Sequence, residues 1–271
     1  MAVFLSSYSK KTAAPYDVDL IVNQLFISIQ NVKTLRYDLK ISERVDGEII
    51  SKRSAIKLNI SPRNLYVKLA TQEILWLQGK NNNNALVNPG SFPYISLNLD
   101  PFGSLMRKGQ HHTIHELGIG YIYSILKNYK SKFKTSFKKH FFIAGEEVFD
   151  GRTCYKLVIL DTDFNWKPYT VLKNENLVTI ARKLHLSEFM ILEKNSEIDW
   201  YDDVDEGQII QIPSSYCKYA KILVDKETML PVSNTMIDEK GLFESYKYTN
   251  LRVNTKISSE EFDRDYKDYD F

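Results

Sequence analysis

Apolar and polar residues alternate along this chain with a period that changes several times, and each change marks an element boundary. Val18, Ile21, Val22, Leu25, Phe26 and Ile29 recur three and four residues apart, so residues 17–32 are predicted to form an amphipathic helix. Asp17 stands at its N-terminus, where a carboxylate suits the helix dipole. From Thr34 the period becomes two. Leu35, Tyr37, Leu39 and Ile41 alternate with polar residues, Asp46-Gly47 offers a turn, and Ile56, Leu58 and Ile60 alternate on the return, which predicts a β-hairpin. Further short strands are predicted over 65–70, 73–78, 85–88 and 95–99, separated by Ser61-Pro62, by 79–84 and by Pro89-Gly90. Connections this short leave no room for crossovers, so the sheet is expected to be antiparallel.

Helical spacing returns over 117–130, through Ile119, Tyr123, Leu126 and Tyr129, and a second hairpin joins 141–148 to 153–160 around Asp150-Gly151. Strand patterns resume over 219–224, 231–237 and 242–253, with a final turn or short helix at 258–263. The segment between them is different. Tyr169-Thr170-Val171 reads as a strand, and Leu177, Ile180, Ala181 and Leu184 fall at i, i+3, i+4 and i+7 on one helical face. Ser187 is placed to cap a second helix reaching about Lys194, Asn195-Ser196 breaks the pattern, and Ile210 and Ile212 form a short strand that Pro213 ends. A unit of about 45 residues is near the lower limit for an independent core, so it should rely on tight packing or on its surroundings. Because strands flank it on both sides, an insertion into one sheet domain is simpler than a tandem arrangement.

Composition narrows the functional classes. With 43% hydrophobic and 26% charged residues the 271-residue chain is ordinary globular protein, one large or two modest domains. A formal net charge of +2 gives no global field for nucleic acid, so no nucleic-acid partner is expected. No apolar run approaches the roughly 20 residues that a membrane-spanning helix requires. Residues 1–15 read either as a flexible tail or as the remnant of a truncated signal peptide, since Met1 to Ser9 lacks a basic start.

Cys154 and Cys217 are too few for a disulfide scaffold. Pairing Asp161 with Tyr216 across the strands that enter and leave the insertion separates the two thiols, so both are read as buried and unpaired.

The conspicuous chemistry is His111-His112-Thr113-Ile114-His115-Glu116. In a helix, His111 and His115 would sit one turn apart, able to share a divalent metal. The order is not that of a zinc protease and the sequence reveals no distant acidic or Cys/His partner, so the histidines are read as capping and packing residues, with no metal and no cofactor. No nucleophile elbow, phosphate loop or paired-cysteine motif is present, and the chain is read as non-enzymatic. The run from Lys127 to Lys139 carries six lysines without an acid; with Phe133 and Phe137 interleaved it reads either as a surface for anionic headgroups or glycopolymers or as a solvated face, the commoner case. Asp199, Asp202, Asp203, Asp205 and Glu206 read as solvated charge.

The stretch from Tyr169 to Pro213 resembles a LysM domain, the βααβ module that binds N-acetylglucosamine polymers. The likeness rests on Tyr169-Thr170-Val171, on the Leu177/Ile180/Ala181/Leu184 face, on Ile191, Leu192 and Asn195, and on Gly207-Gln208 leading into Ile209 to Pro213. It implies a glycan groove between the loop after the first strand and the loop after the second helix: Asn174, Glu175, Asn176 and Leu177 on one side, Asn195, Ser196, Glu197 and Ile198 on the other. Here Asn174-Glu175-Asn176 replaces the usual Gly-Asp-Thr, and Asn195-Ser196 the usual Asn-Pro. Asn can take glycine's left-handed backbone, and Asn176 can cap as Thr does. Trp200 and Tyr201 offer either a stacking surface for a sugar or packing against the sheet domain.

The flanking parts resemble a bacterial domain-of-unknown-function family related to the periplasmic lipoprotein carriers of LolA/LolB-like fold. That likeness rests on Val45-Asp46-Gly47, on Gln110 to Ile119, on Gly145 with Asp150 to Leu157, on Val224-Asp225 with Leu230-Pro231-Val232, on Tyr246 to Asn254 and on Glu261-Phe262-Asp263. Together the resemblances imply an α+β protein, a strongly curved antiparallel sheet forming an open half-barrel on helices, over 16–165 plus 215–271, with a LysM-like insertion at 166–214. They imply a periplasmic or cell-envelope protein whose hollow takes a lipid or lipoprotein acyl chain and whose insert docks on peptidoglycan or another N-acetylglucosamine polymer. The alternative is a protein-interaction module whose degenerate LysM binds no glycan.

Overall fold

The computed structural model describes residues 16–92 and 94–271, so the expected tail or signal remnant at 1–15 lies outside the described residues. Helix α1 (Val18–Gln30) starts at Asp17, whose carboxylate accepts from the amides of Asp19 and Leu20 at 3.1 and 3.2 Å. Strands β1 (Thr34–Val45) and β2 (Glu48–Asn59) form the predicted hairpin, followed by β3 (Asn64–Lys68), β4 (Glu73–Leu77), β5 (Ala85–Asn88) and β6 (Leu97–Leu99). A loop holding the short helix α2 (Ser104–Arg107) leads to α3 (Gly120–Phe133) and the single turn α4 (Phe137–His140). Strands β7 (Phe141–Phe149) and β8 (Arg152–Leu160) precede a separate unit: β9 (Trp166–Thr170), α5 (Leu177–Leu184), α6 (Glu188–Lys194) and β10 (Ile209–Pro213). Strands β11 (Tyr219–Asp225), β12 (Pro231–Asp238) and β13 (Gly241–Val253) complete the sheet.

Eleven strands pair in the order β6-β5-β4-β3-β2-β1-β13-β12-β11-β8-β7, every pair antiparallel. Neighbouring strands twist by about 20–25°, so a sheet this wide coils instead of lying flat. One hydrophobic core joins the buried stripe of α1, the buried face of α3 (Ile122, Ile125, Leu126, Tyr129) and the alternating inward residues of the sheet, such as Leu35, Tyr37 and Leu39 on β1. Strands β9 and β10 pair only with each other among the described residues, and with α5 and α6 they enclose a second, smaller core around Leu177, Ile180, Ile191, Ile210 and Ile212. This unit leaves and re-enters between β8 and β11, which pair with each other; hydrogen bonds from Asp161 N–H to Lys218 C=O and from Ser214 N–H to Asn165 C=O close its neck.

Three expectations change. The helix predicted from Leu117 begins at Gly120, because Gly118 has φ +96° and packs so closely that a Cβ there would stand 2.7 Å from Leu58 Cδ2. Phe133 and Phe137 face the core, so the lysine run presents no aromatic surface; its aromatic residues are spent on packing. The register of β8 and β11 pairs Leu160 with Tyr219 and Cys154 with Asp225, two residues away from the Asp161–Tyr216 alignment. Cys154 and Cys217 are both free and buried, and burial pushes their thiols up to about 11 and about 12.

Candidate functional site

Between the helix-covered face of the sheet and α3 lies a hollow of about 80 Å³. Leu39 and Ile41 of β1, Ile122 and Ile125 of α3, Met236 of β12 and Tyr248 of β13 make it apolar along most of its length. Its other end is polar. Period-two alternation carries β1 from Leu39 and Ile41 to Glu43, and β13 from Tyr248 and Tyr246 to Glu244, so each strand's apolar row is interrupted by an acid. Glu43 and Glu244 are direct cross-strand partners, and both are buried. Like charges placed opposite each other repel, so this end needs compensation.

The compensation comes from the histidine segment. Thr113 and Glu116 form a capping box around the 3₁₀ turn Ile114–Glu116, so the cap is Thr113 and not a histidine. This turn fixes the residues before it. His111 is fully buried, its Nδ1 3.0 Å from Glu244 Oε2 and its Nε2 2.7 Å from the Arg44 carbonyl, while its backbone N–H donates to Glu43. His112 Nε2 reaches the same Glu244 oxygen at 3.1 Å, and the Tyr216 and Tyr246 hydroxyls donate to Glu244 and Glu43. Burial alone would lower His112, but the Glu244 carboxylate beside it raises it to about 9; against its own burial, Glu244 is held far below the usual carboxylate range by the same two imidazoles. His115 points elsewhere, packing edge-on against Trp76 and along Phe102, so the pair one turn apart, His111 and His115, does not form. The packing role holds for His115. For His111 and His112 the reading omitted the acids, which are distant in sequence; the available signal was an acid at the inward register position of two otherwise apolar strand faces.

The βααβ unit braces this end. Phe189 of α6 stacks on one face of His111 at 4.1 Å and Phe243 on another at 4.2 Å. Arg44 donates to Glu193 of α6 and to Asp238, and the buried Arg107 reaches Glu188 at 3.1 Å while lying 3.6 Å over the Tyr201 ring. Arg182 of α5 bridges to Glu116 at 2.5 Å, which outweighs burial and lowers that carboxyl. Tyr201 therefore packs on the sheet domain.

The residues expected in a glycan groove fall into two groups. Leu177 and Ile198 are buried together in the small core, and Asn195, also buried, is spent on hydrogen bonds to Ile191 C=O, Gln211 C=O and Gln211 N–H. Asn176 caps α5 by accepting from Thr179 N–H at 2.9 Å, and Glu175 accepts from Tyr169, Lys183 and the Leu172 amide. Asn174, with φ +63°, Ser196 and Glu197 are exposed. The acidic residues from Asp199 to Glu206 are exposed as well.

Among solved structures, this chain is similar to a chain of the Pseudomonas aeruginosa MucA/MucB complex at 12% identity and TM-score 0.43, over 92% of this chain and 61% of that one. It thus spans about three-fifths of that longer chain. It is also similar to the Mycobacterium tuberculosis lipoprotein LppX, at 12% identity and TM-score 0.41 over 90% of this chain and 99% of that chain, and to a LolA superfamily protein from Nitrosomonas europaea, at 8% identity and TM-score 0.25 over 94% and 100%. No curated protein matches it. A family described as a protein of unknown function, DUF1571, matches residues 32–166 and 208–271, which hold the eleven-stranded sheet, α3 and β10 and leave out α1 and residues 167–207, with α5 and α6 of the βααβ unit. By that match the chain belongs to the DUF1571 family.

Proposed function

We propose that this protein is a non-enzymatic component of the bacterial cell envelope whose hollow receives the apolar part of an amphipathic molecule, a lipid or lipoprotein acyl chain. The observation that carries this reading is the hollow's polarity: aliphatic walls from Leu39 to Met236, and among its lining residues two buried polar atoms, His112 Nδ1 at the acidic end and Asn234 Oδ1 beside Tyr246, with no hydrogen-bond partner among the described residues. An acyl chain suits the walls and a polar head suits the orphaned atoms. At about 80 Å³ the hollow is smaller than the roughly 300–1,000 Å³ of ligand sites, so a chain enters as α3 and the segment 110–117 move off the sheet. Gly109 and Gly118, both with positive φ, bound that segment. Among the described residues no helix is long and apolar enough to cross a membrane, which agrees with a carrier that holds lipid without spanning.

Native mass spectrometry of protein purified from bacterial envelopes tests this. Wild type is expected to carry a lipid-sized adduct that Ile125→Trp, filling the hollow, removes; a consistently empty wild type overturns the reading.

For the βααβ unit we propose LysM-like docking on peptidoglycan or another N-acetylglucosamine polymer, through the exposed Asn174, Ser196 and Glu197. A second reading is favoured by the internal use of Asn176 and Asn195 and by the docking of α6 on the sheet domain: a rigid brace that binds no glycan and serves a protein contact. Retention on purified peptidoglycan separates the two. Ser196→Trp blocks the second loop without touching a cap, so loss of retention supports glycan docking, and no difference from wild type leaves the brace.

A further inference from the structure

We propose that Glu43, His111 and Glu244 form a binding site for one divalent transition-metal ion, with zinc the natural occupant of such a donor set. The ligand atoms, one carboxylate oxygen from each glutamate and Nδ1 of His111, all lie within 4.8 Å of one another, and the three residues are buried. Metal bonds of about 2.0–2.2 Å require ligand atoms roughly 3–3.6 Å apart in a tetrahedral site. The 3.0 Å from His111 Nδ1 to Glu244 Oε2 is already at that spacing.

The orientation of His111 is the strongest argument. Its Nε2 lies 2.7 Å from the Arg44 carbonyl, and a carbonyl only accepts, so Nε2 carries a hydrogen. Nδ1 faces the Glu244 carboxylate oxygen, so a proton or a metal ion lies between them, and a metal ion would take the place the proton holds. A metal-bound histidine has this arrangement as a rule: one nitrogen on the ion, the other N–H held by a backbone carbonyl. The ring plane is fixed by Phe189 and Phe243 on its faces. Each carboxylate has an outer partner as well, the Tyr246 hydroxyl for Glu43 and the Tyr216 hydroxyl for Glu244, the support expected around ligating carboxylates. A cation also relieves the direct opposition of Glu43 and Glu244 across β1 and β13.

Three protein ligands leave a fourth position for water or another ligand, and two of the three, Glu43 and Glu244, also line the hollow. The site does not depend on lipid binding and is measured without lipid. Metal-free protein titrated with zinc chloride by calorimetry, and protein dialysed against zinc and analysed for metal content, are expected to give one tight equivalent per chain, with a matching rise in Tm that a chelator reverses. Glu43→Gln and Glu244→Gln each keep side-chain size and are expected to weaken binding tenfold or more, while His185→Ala, a control on an exposed histidine, leaves it unchanged. No tight equivalent in wild type overturns the site, and this result needs no variant to fold. Wild-type affinity in both glutamine variants overturns it equally, by placing the ion elsewhere.

Discussion

The polar end of the hollow and the polar loops of the βααβ unit both hold their side chains in hydrogen-bonded networks, but over different sequence distances. In the unit, Asn176 pairs with Thr179, Glu175 with Tyr169 and Lys183, and Asn195 with Gln211, partners at most 16 residues apart. At the polar end, His111 meets Glu43 across 68 residues and Glu244 across 133, and Arg44 meets Glu193 across 149. The first kind is set by turn and cap geometry that a short segment carries itself. The second exists only once the sheet has closed and α6 has docked on it. Long-range buried polar contacts should therefore report on assembly of the whole molecule, and local ones on the small unit alone.

The largest effect is expected from Glu188→Ala, which strands the buried Arg107 guanidinium where α6 meets the sheet domain. Removing one partner of a buried pair costs about 3–5 kcal/mol, and urea denaturation should show one weakened cooperative transition. A loss confined to the small unit, with the sheet transition unmoved, would break the comparison. Next is Gly118→Ala, expected to cost about 1–3 kcal/mol through its positive φ and its approach to Leu58, read as a lowered Tm.

Asn195→Ala removes three local hydrogen bonds in a buried place and should cost about 1–3 kcal/mol. Amide exchange is the decisive measurement here: protection should fall in α6 and β10 and be kept in β1 and β13. Asn176→Ala removes only a cap, with about 1 kcal/mol expected and exchange loosened in the first turn of α5.

Arg36→Ala separates sequence distance from burial. Its pair with Glu261 spans 225 residues but lies partly exposed at the sheet's outer side, so the expected loss is about 1 kcal/mol or less. Arg36 and then Lys57 hold Glu261 down to about 2 from the ordinary 4.5. A depressed carboxyl contributes its stability above the unfolded value, so this contribution is present above pH 4.5 and lost as pH falls toward about 2. An acid titration of the Tm should show this step in wild type and a smaller one in Arg36→Ala.

The site was less legible than the fold for the same reason. Ser187 acts as a cap where the sequence placed it and Asn176 where the LysM resemblance did, and Asp17, expected to suit the helix dipole, caps α1, because a cap binds amides two or three residues away. The hairpin of β1 and β2 follows from alternation and Asp46-Gly47. Even so, helix α3 began late, since only packing reveals that Gly118 lies against Leu58. The histidine segment looked like a helix start whose two imidazoles share a face; it is an extended approach to a short turn, and His111 and His115 part company.

What the sequence by itself determined is the order and kind of elements, the antiparallel sheet, the helical faces of the βααβ unit and its position between two pairing strands. Periodicity, turn residues and caps act over a few residues, and each such segment contains its own signal. What only the tertiary structure decided is which distant residues share a place. Glu43 and Glu244 interrupt two apolar rows, yet nothing within either strand states that β1 pairs with β13, or that one residue's register sets the two acids opposite each other. Nor does any local pattern state that α6 brings Phe189 onto His111. Those choices are made by burial of one continuous core, which is a property of the whole chain.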